Sequence, residues 1–93
     1  MKVTPNIIRY EFIGTEAKVV KSKHLGYIGI SGKVIDETRN TFILEHEGER
    51  KTVVKDVAIF HFRFPDGTTV EVDGKLLLGR PEDRLKKRVR RLW

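Results

Sequence analysis

Residues 26–33 read GYIGISGK, and the choice of fold turns on them. Three glycines spaced three apart and ending in Gly-Lys have the outline of a phosphate-binding loop. That motif needs a glycine five residues before the Gly-Lys pair and a Ser or Thr after the lysine. Those positions hold Tyr27 and Val34, so the hydroxyl that would hold Mg²⁺ is missing. A dinucleotide fingerprint needs a helix after its glycines, whereas residues 34–44, VIDETRNTFIL, alternate and turn like a β-hairpin. The stretch therefore reads as a strand. A period of two puts Ile28, Ile30, Gly32 and Val34 on one face and Tyr27, Gly29, Ser31, Lys33 and Ile35 on the other. Glycine inside a strand marks a bulge, a bend or a close backbone approach, and a small barrel needs such bends to close. Gly32 falls on the inward face, where a side chain would crowd the axis.

The same period continues outward from this stretch. AKVVKS (17–22), TFILE (41–45), KTVVK (51–55), VAIFHFRF (57–64) and TVEVDGKLLL (69–78) read as further strands. Phe60, Phe62 and Phe64 share one face of the fourth of these. DETRNT (36–41) is a turn with Asn40 placed for a left-handed conformation, HEGER (46–50) turns around Gly48, and PDGT (65–68) signals a type I or II turn. Short alternating strands with turns every eight to twelve residues indicate an antiparallel barrel or sandwich. The expectation is an all-β, small, strongly bent antiparallel barrel of five to six strands. Its core covers about residues 16–79 of a single 1–93 domain.

The two ends are different. In TPNIIRYEFIG (4–14), Thr4 can cap a short helix, Pro5 suits its first turn, Ile8 and Phe12 share a face, and Gly14 ends it. In residues 80–93, RPEDRLKKRVRRLW, Leu85, Val89 and Trp93 form a narrow apolar stripe on a basic amphipathic helix. Isolated helices shorter than about 12–15 residues are marginal in water. Ile8, Phe12, Leu85, Val89 and Trp93 are therefore expected to meet a protein partner, and both helices to form fully only with it.

Charge is concentrated at the C-terminus. Residues 80–93 hold seven basic and two acidic groups, +5 of the chain's +6, while residues 1–79 hold twelve basic and eleven acidic. Such a basic segment favours polyanions by releasing their condensed counterions. The candidates for RNA contact are Lys21, Lys23, Lys33 and Arg39 in the barrel and Arg80, Arg84, Lys87, Arg88 and Arg91 in the tail. Lys51, Lys55, Arg63 and Lys75 add to a scattered basic surface. Only Tyr27 and Trp93 stand out as exposed rings for base stacking, which points to the shape and backbone of folded RNA.

Catalytic groups do not assemble in the sequence. His24, His46 and His61 lack metal-motif spacing, and neither Ser22 nor Ser31 sits in a nucleophile elbow. Glu45, Glu47 and Glu49 straddle a turn and read as a solvated hairpin. With no cysteine, disulfides and thiolate sites are excluded. No apolar run approaches the roughly 18–20 residues of a membrane span, and no secretory signal is visible, so a cytoplasmic protein without membrane contact is expected.

Residues 29–44, GISGKVIDETRNTFIL, resemble the glycine strand and DET-x-NT hairpin of archaeal ribonuclease P protein component 1. The tail from Arg80, RPEDR, resembles that family's C-terminal stretch, and the similarity runs from about Lys18 to Arg90. The resemblance implies an Sm-like barrel, related to SH3-like barrels, and a role as a non-catalytic subunit of ribonuclease P, which removes the 5′ leader from precursor tRNA. It implies that the RNA subunit is the catalyst and carries the Mg²⁺, that this chain binds no cofactor, and that a zinc-ribbon subunit is its heterodimer partner. The matching positions are Gly29, Gly32, Asp36, Glu37, Thr38, Asn40 and Thr41 in the barrel and Arg80, Pro81, Glu82, Asp83 and Arg84 at the tail. The glycines and Asn40 are expected to set backbone geometry, Thr38 and Thr41 to tie the hairpin, and Arg80 and Arg84 to contact RNA. Without the resemblance, a ribosomal protein or another structured-RNA-binding barrel fits the same charge pattern, and a barrel that binds only proteins fits the apolar stripes.

The tail gives a direct expectation. Removing residues 84–93 deletes six basic groups. Each lost phosphate contact takes roughly 0.9 from the log–log salt slope of duplex binding. Filter-binding titrations at stepped salt should show the slope flattened by several contacts' worth; an unchanged slope would place the RNA contacts on the barrel alone.

Overall fold

The computed structural model describes residues 11–80. Six strands form one antiparallel sheet: β1 (Glu16–Ser22), β2 (Ser31–Glu37), β3 (Thr41–His46), β4 (Glu49–Val54), β5 (Ala58–Arg63) and β6 (Thr69–Asp73), in the order β4-β3-β2-β1-β5-β6. The sheet bends strongly around one core but stays open, since no ladder joins β4 to β6 among the described residues. Three single-turn 3₁₀ segments, Leu25–Tyr27, Lys55–Val57 and Gly74–Leu77, make the corners. The all-β, six-stranded reading holds; the closure by hydrogen bonds does not.

The glycine stretch is divided rather than continuous. Gly26 and Tyr27 lie in the first 3₁₀ turn, Gly29 takes φ +89° in the turn after it, and β2 begins only at Ser31. Residues 29 and 30 still border β1, with Gly29 N donating to Val19 O (3.0 Å) and Val19 N to Ile30 O (2.9 Å). Gly32 is required for a neighbour's sake. At φ +152°, a β-carbon there would lie 1.8 Å from the Glu45 carbonyl oxygen of β3. The crowding comes from the next strand's backbone, not from the barrel axis.

The turns divide the same way. The β3–β4 hairpin turns through Glu47 (φ 51°) and Gly48 (φ 79°) between the paired His46 and Glu49. Two positive φ values in a two-residue loop make a type I′ turn, which matches the twist of the strands. Asn40 is not left-handed: among the described non-glycine residues only Glu47 has positive φ. The β2–β3 connection is closed instead by Thr38 N to Thr41 O (2.9 Å), Thr41 N to Thr38 Oγ1 (3.1 Å) and a 2.6 Å contact between the two hydroxyls.

Two bulges break the strict alternation. In β1 the register slips between Val19 and Lys21, after Ala17 and Val19 have turned inward. Lys21, which a period of two would bury, is thereby exposed. In β2 the slip lies between Val34 and Asp36, so Val34 and Glu37 point inward while Asp36 faces out. A bulge re-aims every later side chain on its strand.

The core is built around phenylalanines. Phe42, Phe60 and Phe62 are fully buried with edge-on and stacked ring contacts at 5.3–5.6 Å. Phe12 belongs to this cluster, which corrects its assignment to a partner surface. It is fully buried, 4.2 Å from Phe62 and 5.9 Å from Phe42 between ring centroids. Residues 11–14, the end of the expected leading helix, are not helical. A turn holds Phe12 in place, its carbonyl accepting from Thr15 N (3.0 Å) and Thr15 Oγ1 (2.6 Å). Ile8, Leu85, Val89 and Trp93 lie outside the described residues. Phe12→Ala should therefore destabilise the free chain by about 3–5 kcal/mol, read as a lower urea midpoint; an unchanged midpoint would return Phe12 to a partner interface.

Candidate RNA interface

Six of the described basic residues, Lys21, Lys23, Arg39, Lys55, Lys75 and Arg80, lie in or beside the end of the barrel made by the 55–57 and 74–77 turns, while Lys18, Lys33, Arg50, Lys51 and Arg63 lie along the strands. A buried ion pair organises that end. Val53 points inward at the end of β4, and two residues later Lys55 does too, opening the 55–57 turn with no exposed surface. Its Nζ donates to Glu37 Oε2 (2.6 Å), Thr38 O (2.8 Å) and Gly79 O (2.9 Å), with Arg39 O further off at 3.4 Å. The three short bonds match the ammonium's three protons. The Phe42 ring lies beneath, 4.8 Å from Nζ, adding cation–π attraction.

Backbone bonds complete the clamp. Gly79 N donates to Arg39 O (2.7 Å) and Lys55 N to Asn40 O (2.8 Å). The exit of the chain from the barrel is therefore stitched to the tip of the β2–β3 hairpin. With Arg39's carbonyl held inward, its side chain faces solvent, and Arg80, exposed, follows directly after Gly79. Residues 41 apart in sequence become neighbours on one rim.

Around the same end, Lys21, Lys23 and Lys75 line a groove of about 350 Å³ whose walls include Ile28, Val57 and Ile59, with Asp56 and Asp73 at the edge. The 55–57 and 74–77 turns form its base by packing on each other. Gly74 makes that packing possible, since a β-carbon there would stand 1.8 Å from Lys55 O. Lys23 N and Ser22 Oγ both donate to Val57 O (3.0 and 2.7 Å), fixing the end of β1 to the turn.

Lys33 is placed otherwise. It sits in the β2 ladder between Glu16 on β1 and Glu45 on β3, with Glu47 and Glu49 in the hairpin that β3 enters. Flanking carboxylates make this a poor phosphate contact. Tyr27 stacks on His24, ring centroids 4.3 Å apart, so one face of the expected base-stacking ring is covered. Arg84, Lys87, Arg88 and Arg91 lie outside the described residues.

The other titratable groups serve the sheet. Nδ1 of His46 lies 2.7 Å from Ser31 O, joining the start of β2 to β3, so this histidine is structural rather than merely solvated. His61 pairs across strands with Glu71 (2.8 Å). A hydrogen bond from the Thr68 backbone amide, then one from its hydroxyl, holds the exposed Asp66 carboxyl below its ordinary range. No group of metal-ligating side chains occurs among the described residues. Among the described residues the site gathers cations and offers no nucleophile with a base beside it.

In the sequence Lys55 reads as one of several scattered basic residues. The signal was faint: Lys51, Val53 and Lys55 share a face by period, and that face is the inner one. Glu37 could not be paired with it in sequence, because only the β2 bulge turns Glu37 inward. Removing one member of a buried ion pair costs roughly 3–5 kcal/mol. Lys55→Met should lower unfolding free energy by about that amount in urea titration, and Glu37→Gln, which keeps an acceptor, by less; a Lys55→Met variant as stable as the parent would show that the clamp carries no load.

Comparison with known proteins bears on this arrangement. The family model described as Ribonuclease P/MRP, subunit p29, matches residues 5–87. Ribonuclease P protein component 1 of Methanocaldococcus jannaschii is 50% identical over 93 residues, covering 98% of this chain and 97% of that protein. Its namesake from Methanothermobacter thermautotrophicus is 50% identical over 91 residues, covering 96% and 98%. Among solved structures, that of Mth11, a homologue of human RNase P protein Rpp29, superposes with a TM-score of 0.61 at 49% identity, covering 81% of this chain and 97% of that one.

Proposed function

This chain belongs to the ribonuclease P/MRP subunit p29 family and is a protein subunit of ribonuclease P, and from that premise we propose that it acts in the complex as a non-catalytic RNA-binding subunit. Its binding partner is the ribonuclease P RNA, which it holds in the fold that cleaves the 5′ leader from precursor tRNA. The RNA supplies the catalyst and its Mg²⁺; this chain supplies cations at fixed positions. The observation that carries the reading is the Lys55 clamp, which brings Arg39 and Arg80 together beside the 55–57 turn, whose next residues line the groove of Lys21, Lys23 and Lys75. A rigid row of cations recognises a folded backbone better than the same charges on free loops, because less freedom is lost on binding.

A zinc-ribbon subunit of ribonuclease P is the proposed protein partner. The support is the sequence: Leu85, Val89 and Trp93 at helical spacing, with Ile8 near the other terminus. Phe12 is spent on the chain's own core and is not part of that surface. Among the described residues no helix is long and apolar enough to cross a membrane, and the proposed site of action is the cytoplasm.

Reconstitution tests the reading. Adding the chain to ribonuclease P RNA should lower the Mg²⁺ needed for precursor-tRNA cleavage, while the chain without RNA should cleave nothing. Replacing both Arg39 and Arg80 by Ala should weaken RNA binding and reduce the salt slope by about two contacts, roughly 0.9 each, with Lys33→Ala close to the parent. Specific 5′ processing by the chain alone, or equal losses for Lys33 and the two arginines, would contradict it.

A further inference from the structure

The groove between the end of β1 and the two 3₁₀ turns has a composition that bulk phosphate binding does not explain. A surface that only attracts a backbone is basic and open. This one is a concavity of about 350 Å³, at the small end of the roughly 300–1,000 Å³ range of ligand sites. Its walls are apolar, with Ile28, Val57 and Ile59 all partly open to solvent, Ile28 at 49%. Lys21, Lys23 and Lys75 stand around it, and two carboxylates, Asp56 and Asp73, stand among the lysines. Acidic groups repel phosphate, so a pure backbone site has no use for them.

The three features fit one occupant. Apolar walls accept the face of a flat heterocycle, and the lysines accept the phosphates on either side of it. A carboxylate accepts hydrogen bonds and donates none, so it selects bases by the donors they present. Guanine alone offers two adjacent donors, N1–H and the 2-amino group, to a single carboxylate. Adenine and cytosine place a ring acceptor beside their amino group, and uracil flanks its one N–H with two carbonyls; each sets a lone pair against the second carboxylate oxygen. Asp73 is already engaged, Oδ1 accepting from Lys75 N (3.0 Å) to start the 74–77 turn. Asp56 is exposed on the 55–57 turn and available.

We propose that this groove is a binding site for one unpaired guanine nucleotide of the RNA, with the base between Ile28, Val57 and Ile59, its Watson–Crick edge on Asp56, and its phosphates on Lys21, Lys23 and Lys75. The site rests on the reading of the chain as an RNA-binding subunit and adds a base preference to it. The β1 bulge is what turns Lys21 to the groove, and Gly74 is what lets the two turns approach closely enough to form its base.

The test uses the ¹⁵N-labelled full chain titrated with 5′-GMP, AMP, CMP, UMP and inorganic phosphate, followed by amide shifts. GMP should move the amides of Lys23, Asp56, Val57, Ile59 and Lys75 and saturate at about tenfold lower concentration than the other nucleotides, the discrimination of a good two-bond base contact. Asp56→Asn, at an exposed position, should keep the parent's melting temperature and lose the preference for GMP. Equal responses to GMP and phosphate, or a CMP or AMP preference, would overturn the guanine site. Silent groove amides in a chain that still binds ribonuclease P RNA would overturn it too, leaving the subunit reading standing. Silent amides together with loss of RNA binding would overturn both.

Discussion

A lysine ammonium with no solvent contact is the constraint on which one end of this molecule depends. Taking a charge out of water costs several kcal/mol even after relaxation, and the interior compensates only when the partner and the remaining hydrogen bonds are in place. Lys55 meets that condition with Glu37 and with carbonyls drawn from the β2–β3 hairpin and the chain exit at Gly79. The demand of the buried charge sets their positions, and the exposed arginines beside those carbonyls are set with them. The Thr38 and Gly79 carbonyls that satisfy Lys55 from inside are each followed in the chain by an exposed arginine, Arg39 and Arg80.

This arrangement also explains how a body with near-balanced charge can present a cationic face. Residues 1–79 carry twelve basic and eleven acidic groups, but some of the cations cluster locally. Glu16 and Glu45 flank Lys33 in the ladder, whereas Lys21, Lys23 and Lys75 share one groove with Asp56 and Asp73, and Arg39 and Arg80 meet at the clamp. Local field follows such clustering and not the net count alone. Arg80, exposed directly after Gly79, is the first of the seven basic residues of the 80–93 segment.

Much of the fold was legible because the period of two is a direct readout of a half-buried sheet. The strands, the two glycine turns and the alternating Phe60 and Phe62 follow from it. What escaped were the points where alternation is interrupted. The bulges at Val19–Lys21 and Val34–Asp36 leave no mark in composition, yet one delivers Lys21 to the groove and the other delivers Glu37 to Lys55. Phe12 was misplaced for a related reason: spacing relative to Ile8 suggested a helix face, whereas tertiary packing on Phe62 took the ring into the core. At Gly32 the steric need is legible in the strand glycine, but the neighbour that imposes it, the Glu45 carbonyl, is not. Gly74 carried no signal at all, because its demand comes from Lys55 O, nineteen residues away.

The central claim is that Arg39 and Arg80 act on RNA as a pair because the clamp holds them together. A double-mutant cycle on RNA affinity, with Arg39→Ala, Arg80→Ala and the combined variant, measures this directly. Residues sharing partners or a backbone link couple by about 0.5–3 kcal/mol, while distant ones add. The account predicts a coupling in that range; losses that add within about 0.3 kcal/mol would show two independent cations and contradict it.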